Sequence, residues 1–120
     1  MTRSELTRML VLNEIADDYE EPVHIHELLV RVAKQCGMTI CPLDVRLALI
    51  DLIKPGWAKA YIHLTKQPFI TEVPGAPTPE QADDYYYLIT ERGREVLGAF
   101  DGWPFNDDGE FLPDWLPPTE

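Results

Sequence analysis

Nucleophilic side chains and phosphate-binding loops are scarce in this 120-residue chain, and these shortages exclude several classes of enzyme. Ser4 is the only serine, and no motif places it beside a histidine base. The 7 glycines are scattered, so none forms a glycine-rich loop that could hold a phosphate. We therefore expect a protein that is not an enzyme and that carries no cofactor.

Long apolar runs are also missing. No run approaches the roughly 18 residues that a membrane-spanning helix needs, and Met1 begins a polar segment without the apolar core of a signal peptide. The chain has only two cysteines, Cys36 and Cys41, so free thiols are expected rather than a disulfide. These absences predict a cytoplasmic protein that is not bound to a membrane.

The few histidines and cysteines do not form a convincing metal motif. His24, His26 and His63 could be combined with the two thiols, but Cys-x4-Cys without a second cysteine pair is a poor zinc template. Cys36 and Cys41 are instead expected to be buried as small apolar side chains. We therefore expect no metal site.

Basic residues are few, and the acidity is uneven. The chain has 10 Lys and Arg against 21 Asp and Glu, for a net charge of −11. Residues 1–65 contribute −2 of this charge and residues 66–120 contribute −9. Such a surface repels phosphates and favours basic or apolar partners, although a local basic patch could still exist.

The remaining pattern predicts three helices in the first half of the chain. Thr2 and Glu5 form a capping box for a helix from Arg3 to Tyr19. A second helix, over residues 26–35, follows a short extended segment at 23–25 and ends before Gly37. Pro42 then occupies the first turn of a third helix that ends before residue 55.

The second half predicts a two-stranded sheet. Small and apolar residues alternate with larger ones over residues 57–64, which is typical of a strand, and residues 85–89 are its expected partner. The interval 65–84 contains four prolines and is predicted to be a long loop. Alternation should send Tyr85, Tyr87 and Ile89 to one sheet face, and Tyr86 and Leu88 to the other.

Residues 85–97, YYYLITERGREVL, join this strand directly to a helix with an N-cap at Thr90. The order resembles the Y-x-L-T-x-x-G-x-x-x-L ending of bacterial winged helix-turn-helix regulators of the PadR and MarR kind. One residue, Ile89, separates the leucine from the threonine, which are adjacent in those families. The matching positions are Tyr86, Leu88, Thr90, Gly93 and Leu97. The resemblance implies an α+β winged helix-turn-helix domain over residues 1–100, with a two-stranded wing and a C-terminal helix.

In the regulators that the chain resembles, the third helix enters the DNA major groove and the wing touches phosphate or the minor groove. The least apolar face of this third helix carries Asp44, Asp51 and Lys54 beside Leu47 and Ala48. It lacks the Arg, Asn, Gln, Ser and Thr side chains that usually read bases. If DNA is bound, the candidate contacts are Arg31, Lys34, Lys54 and Lys66.

Residues 101–120 form an acidic extension that we call the arm. It has six acidic residues, no basic residue and four prolines. Residues 106–110, NDDGE, are expected to form a turn, since alignment with a calcium loop puts Pro104 and Trp115 at ligand positions. Aromatic residues are unusual in a free tail, so we expect the arm to pack on the domain or on a dimer mate.

Aromatic residues outside the core mark a candidate protein interface. They come from the predicted strands and from the arm: Trp57, Tyr61, Tyr85, Tyr87, Trp103, Phe105, Phe111 and Trp115. The leading hypothesis is thus a non-enzymatic recognition module that contacts a protein partner or a second copy of itself. The alternative is a dimeric DNA-binding transcriptional regulator of PadR/MarR-like type, with a basic groove that exists only in the dimer.

Overall fold

The computed structural model describes residues 1–118 as four helices and one antiparallel sheet, so the predicted α+β class is confirmed. The last two residues of the arm, 119 and 120, lie outside the described range. In chain order the elements are α1 (Arg3–Glu14), α2 (Pro22–Gln35), α3 (Pro42–Ile53), β1 (Ala58–His63), β2 (Ile70–Val73), a 3₁₀ turn (Ala82–Asp84), β3 (Tyr86–Ile89) and α4 (Glu91–Ala99).

Local capping signals begin α1, α3 and α4 and end α2 as predicted. The Thr2 hydroxyl accepts a hydrogen bond from the Glu5 amide at 3.0 Å, and the Glu5 carboxylate accepts one from the Thr2 amide at 3.2 Å. Pro42 opens α3, and the Thr90 hydroxyl accepts from the Gly93 amide at 3.0 Å to open α4. Gly37 ends α2 with φ +73°, a conformation that favours glycine.

The predicted end of the first helix and the predicted start of the second were wrong, because the chain between these helices pairs with the sheet. α1 ends at Glu14 instead of Tyr19, and the carbonyl oxygen of Ile15 accepts from the Ile89 amide at 3.0 Å. Glu20 and Tyr87 exchange two backbone hydrogen bonds, of 3.0 and 2.8 Å. α2 then begins at Pro22, so residues 23–25 are helical rather than extended.

The sheet has three strands in the order β2-β1-β3, all antiparallel. The expectation of two strands joined by a long loop over 65–84 was therefore wrong. Pro68 and Pro74 flank β2 without interrupting it, so its amides remain available to β1. Further along, the 3₁₀ turn packs against α2 and α3, and Arg46 donates to Asp83 at 3.1 Å.

The core lies between the three N-terminal helices and the inner face of the sheet. It contains Leu6 and Leu12 of α1, Leu29 of α2 and Leu49 of α3. The predicted alternation in β3 is confirmed, since Tyr87 and Ile89 are buried and their neighbours are not. This places one side of the sheet on the helices and leaves the other facing outward.

The arm folds back on the same chain. Trp103 and Trp115 pack against the core cluster, and the Trp115 indole N–H donates to the Gly102 carbonyl at 3.2 Å. The predicted turn at 106–110 is confirmed: the Asn106 side-chain oxygen accepts from two backbone amides of the turn, each at 2.9 Å. Phe105 is half-buried, whereas Phe111 is 38% exposed, although its ring meets those of Phe105 and Trp115 edge to face at 5.8 Å.

Substituting two glycines of α4 should have opposite effects. A Cβ at Gly93 would overlap the Trp57 carbonyl oxygen and lie 2.7 Å from Ile89 Cγ1, whereas a Cβ at Gly98 meets nothing within 4 Å. We expect Gly93→Ala to lower the free energy of unfolding by about 1–3 kcal/mol. Gly98→Ala should raise it by about 0.5–1 kcal/mol, because alanine favours the helix. Urea denaturation measures both, and equal effects would contradict the packing of α4 on residue 57.

Removing the arm should destabilise the domain. Truncation after Phe100 exposes the surface that Trp103 and Trp115 cover, so we expect a lower melting temperature and binding of an apolar dye. Trp115→Ala alone should cost about 1–2 kcal/mol, since the indole is only partly buried. The control is Leu116→Ala, because Leu116 is 82% exposed. If truncation leaves the melting temperature unchanged, the arm does not stabilise the fold.

Candidate functional site

The outward side of α3 carries two exposed leucines one helical turn apart. Leu43 is 43% exposed and Leu47 is 42% exposed, while Val45, Leu49 and Leu52 on the other side are buried. Asp44 lies partly exposed beside the leucines, and Asp51 and Lys54 are exposed toward the C-terminal end of the helix. We call Leu43, Asp44, Leu47, Asp51 and Lys54 the α3 surface.

The α3 surface differs from the least apolar face that helical periodicity predicted for this helix. Ala48, expected on the polar face, is only 4% exposed because α3 packs closely against α1. The Asp44 carboxylate caps its own helix, since it accepts a hydrogen bond from the Cys41 amide at 2.9 Å. The outward face of α3 is therefore more apolar than predicted.

Three of the cations close to α3 are paired with carboxylates. Lys54 Nζ lies 3.8 Å from Asp51, and Arg8 of α1 approaches the same carboxylate at 3.9 Å. On the other flank of α3, Arg46 pairs with Asp83 at 3.1 Å. These exposed pairs stabilise the fold little, but they offset the positive charge that phosphates would otherwise meet.

A groove of about 360 Å³ separates α3 from the first two turns of α1. Its α1 side carries Arg3, Ser4, Thr7 and Arg8, and its other side carries Met38, Thr39, Asp44, Leu47, Ala48 and Asp51. Sequence reasoning did not place Arg3 and Arg8 beside α3. No local signal could have done so, because only the packing of α1 on α3 creates the groove.

The four basic residues suggested for DNA binding lie on three different elements. Arg31 and Lys34 are exposed on α2, and Lys54 belongs to the α3 surface. Lys66 is exposed in the turn between β1 and β2. Arg31, Lys34 and Lys66 do not line the α1–α3 groove, whose arginines belong to α1.

Part of the aromatic interface predicted from the sequence belongs to the core. Tyr87 is fully buried, and its hydroxyl donates to the Ala82 carbonyl at 2.7 Å. It cannot contact a partner, because its side chain lies within the core between the sheet and the helices. Trp57 and Tyr85 are half-buried and pack on the core cluster.

The outer sheet face carries aromatic side chains that sequence reasoning only partly identified. Tyr61 was named, and its register partner in β3 is Tyr86. The Tyr19 ring meets Tyr61 edge to face at 5.0 Å, and His63 lies 5.5 Å from Tyr86. Burial, together with the neighbouring Tyr19 and Glu72, raises the pKa of the Tyr61 hydroxyl. The phenol therefore remains neutral at physiological pH.

The histidines and cysteines are engaged separately. His24 shares a 2.5 Å hydrogen bond with Glu20, whose bond and charge raise the pKa of the imidazole. His26 meets the Ile40 carbonyl at 3.0 Å. Cys36 is buried as expected, whereas Cys41 is exposed because it caps α3 at its outer end. Within residues 1–118, no three His, Cys, Asp or Glu side chains are arranged to hold a metal ion.

Comparison of this chain with protein-family models, with curated proteins and with solved structures finds no significant match. The helices found among residues 1–118 are all too short or too polar to cross a lipid bilayer.

Proposed function

We propose that this chain is a winged-helix module that recognises protein, either a partner or a second copy of itself, through the α3 surface. The order of elements supports the fold assignment: α1, the single pairing of Glu20 with β3, the α2–α3 pair, β1, β3 and then α4. In this assignment β2 is an addition at the wing edge of the sheet. The PadR- and MarR-like pattern of residues 86–97 points to the same fold.

The exposed pair Leu43 and Leu47 is the observation that carries the proposal. An apolar centre with charged groups at its rim is the usual anatomy of a protein interface. Here the partly exposed Asp44 follows Leu43 directly, and the exposed Asp51 and Lys54 lie beyond Leu47 toward the end of the helix. Covering them removes apolar area from water, which is the main favourable term in association.

The same surface is a poor match for nucleic acid. Its outward side chains are leucine, aspartate and lysine, whereas base edges are usually read by Arg, Asn, Gln, Ser or Thr. The lysine lies near the Asp51 carboxylate, and the chain carries a net charge of −11. A phosphate group near this surface would therefore be repelled by the negative charge of the protein.

The alternative function is that of a DNA-binding regulator, similar to the PadR or MarR type, which acts as a dimer. The α1–α3 groove is the observation that favours it, because Arg3, Arg8, Ser4 and Thr7 are side chains that commonly contact phosphates. In a dimer, two such grooves could flank the α3 helices, and the exposed residues Arg31, Lys34, Lys54 and Lys66 would add charge.

Removing the two leucines should abolish partner binding without unfolding the domain. The native chain should either cross-link to a partner protein or self-associate, which light scattering measures. We expect the double variant Leu43→Ser/Leu47→Ser to lose that interaction. The matched control is Leu28→Ser/Val30→Ser on α2, whose side chains are 43% and 45% exposed. If both double variants retain the same partners as the native chain, the α3 surface is not the interface.

DNA affinity separates the two functions. We expect little binding to labelled duplex DNA even at about 50 mM salt, where release of counterions most favours association. The measurement is a fluorescence anisotropy titration repeated at increasing salt. Micromolar binding with a steep salt dependence, lost in Arg3→Ala/Arg8→Ala but kept in Arg92→Ala, would instead support the regulator.

A further inference from the structure

A cavity of about 490 Å³ lies between the arm and the helical body. Trp103 and Phe105 of the arm and Val32 of α2 supply its apolar walls. Asn13, Gln35, Asn106, Asp107 and Gly109 complete the lining. It is open to solvent on one side, and its volume and its mixture of aromatic and polar groups fall within the range of small-molecule sites. We call it the arm cavity.

The arm wall of this cavity is held in place by backbone and side-chain hydrogen bonds. The Leu112 amide donates to the Pro104 carbonyl at 2.7 Å, and the Asn106 amide donates to the Glu110 carbonyl at 2.9 Å. The Trp103 ring packs edge to face on Phe100 at 4.7 Å. These contacts fix the conformation of the arm wall, so little ordering of the arm is needed when a ligand binds.

The polar lining consists mainly of side-chain amides. Asn13 and Gln35 are exposed residues, and each amide offers a donor and an acceptor to a ligand. The Asn106 oxygen is occupied by two backbone amides of the turn, which leaves its N–H groups as donors. Paired donors and acceptors of this kind match the edge of a nitrogen heterocycle, as when Asn or Gln binds adenine.

The charge of the turn selects against anionic ligands. Asp107 lines the cavity, and Asp108 and Glu110 lie in the same exposed turn. A phosphate held near these carboxylates would meet like charges. The aromatic rings Trp103 and Phe105 can meanwhile stack on a flat ring of any polarity.

We propose that the arm cavity binds a neutral, planar nitrogen heterocycle of the nucleobase type, as a free base or nucleoside and not as a nucleotide. The ring stacks on Trp103 or Phe105, and its edge meets the amides of Asn13 and Gln35. The occupant touches both the arm and α1–α2, so its binding stabilises the docked arm.

The test uses the full chain and adenosine as the probe. Adenosine should shift the NMR signals of the Trp103 indole and of the Asn13 and Gln35 side-chain amides in a saturable way, with a dissociation constant of about 1 mM or below. Adenosine monophosphate should bind about fivefold more weakly at low salt, and Asp107→Asn should narrow that difference.

Two exposed positions on α2 give a matched pair of variants. Gln35→Ala should weaken adenosine binding about three- to tenfold through the loss of a hydrogen bond. Lys34→Ala, one residue away and outside the cavity, should leave it unchanged. The proposal is overturned if adenosine up to about 5 mM shifts none of these signals, if the two variants behave alike, or if the nucleotide binds as tightly as the nucleoside.

Discussion

Burial of Tyr87 is the interaction on which most of this structure depends. Its backbone pairs with Glu20 on one side of β3 and its position opposes Ala60 of β1 on the other. Its hydroxyl would be a buried, unpaired group without the Ala82 carbonyl, which accepts its hydrogen bond. One residue thus joins the α1–α2 connection, the centre of the sheet and the segment that follows β2.

That anchoring determines where the surfaces of the protein lie. The 3₁₀ turn that contains Ala82 is held against α2 and α3, and Asp83 of this turn pairs with Arg46. This covers one flank of α3, while α1 covers the inner side. The remaining side exposes Leu43 and Leu47, the two leucines that we propose contact a partner.

The end of β3 couples the sheet to α4. The Thr90 hydroxyl donates to the Gly56 carbonyl at 2.6 Å and also accepts from the Gly93 amide, so one side chain links the turn before β1 to the start of the helix. Gly93 allows α4 to approach the Trp57 backbone. The arm continues from this helix, and its docking on the body therefore depends on the same junction.

The sequence by itself determined the features that depend on neighbours within about four residues. The capping box at Thr2, the proline start of α3, the glycine end of α2 and the N-cap at Thr90 each follow from a side chain that bonds its own backbone or restricts it. The turn at residues 106–110 belongs to the same group. These signals placed the starts of α1, α3 and α4 and the end of α2 without any long-range information.

Only the tertiary structure decided features that join distant parts of the chain. β2 forms because β1 offers an unpaired edge, although prolines around it suggested a loop. The pairing of Glu20 with Tyr87 ends α1 early, and the packing of α1 turns Ala48 inward and brings Arg8 beside Asp51. Such contacts depend on which surfaces pack together in three dimensions, and neither helical periodicity nor residue spacing contains that information.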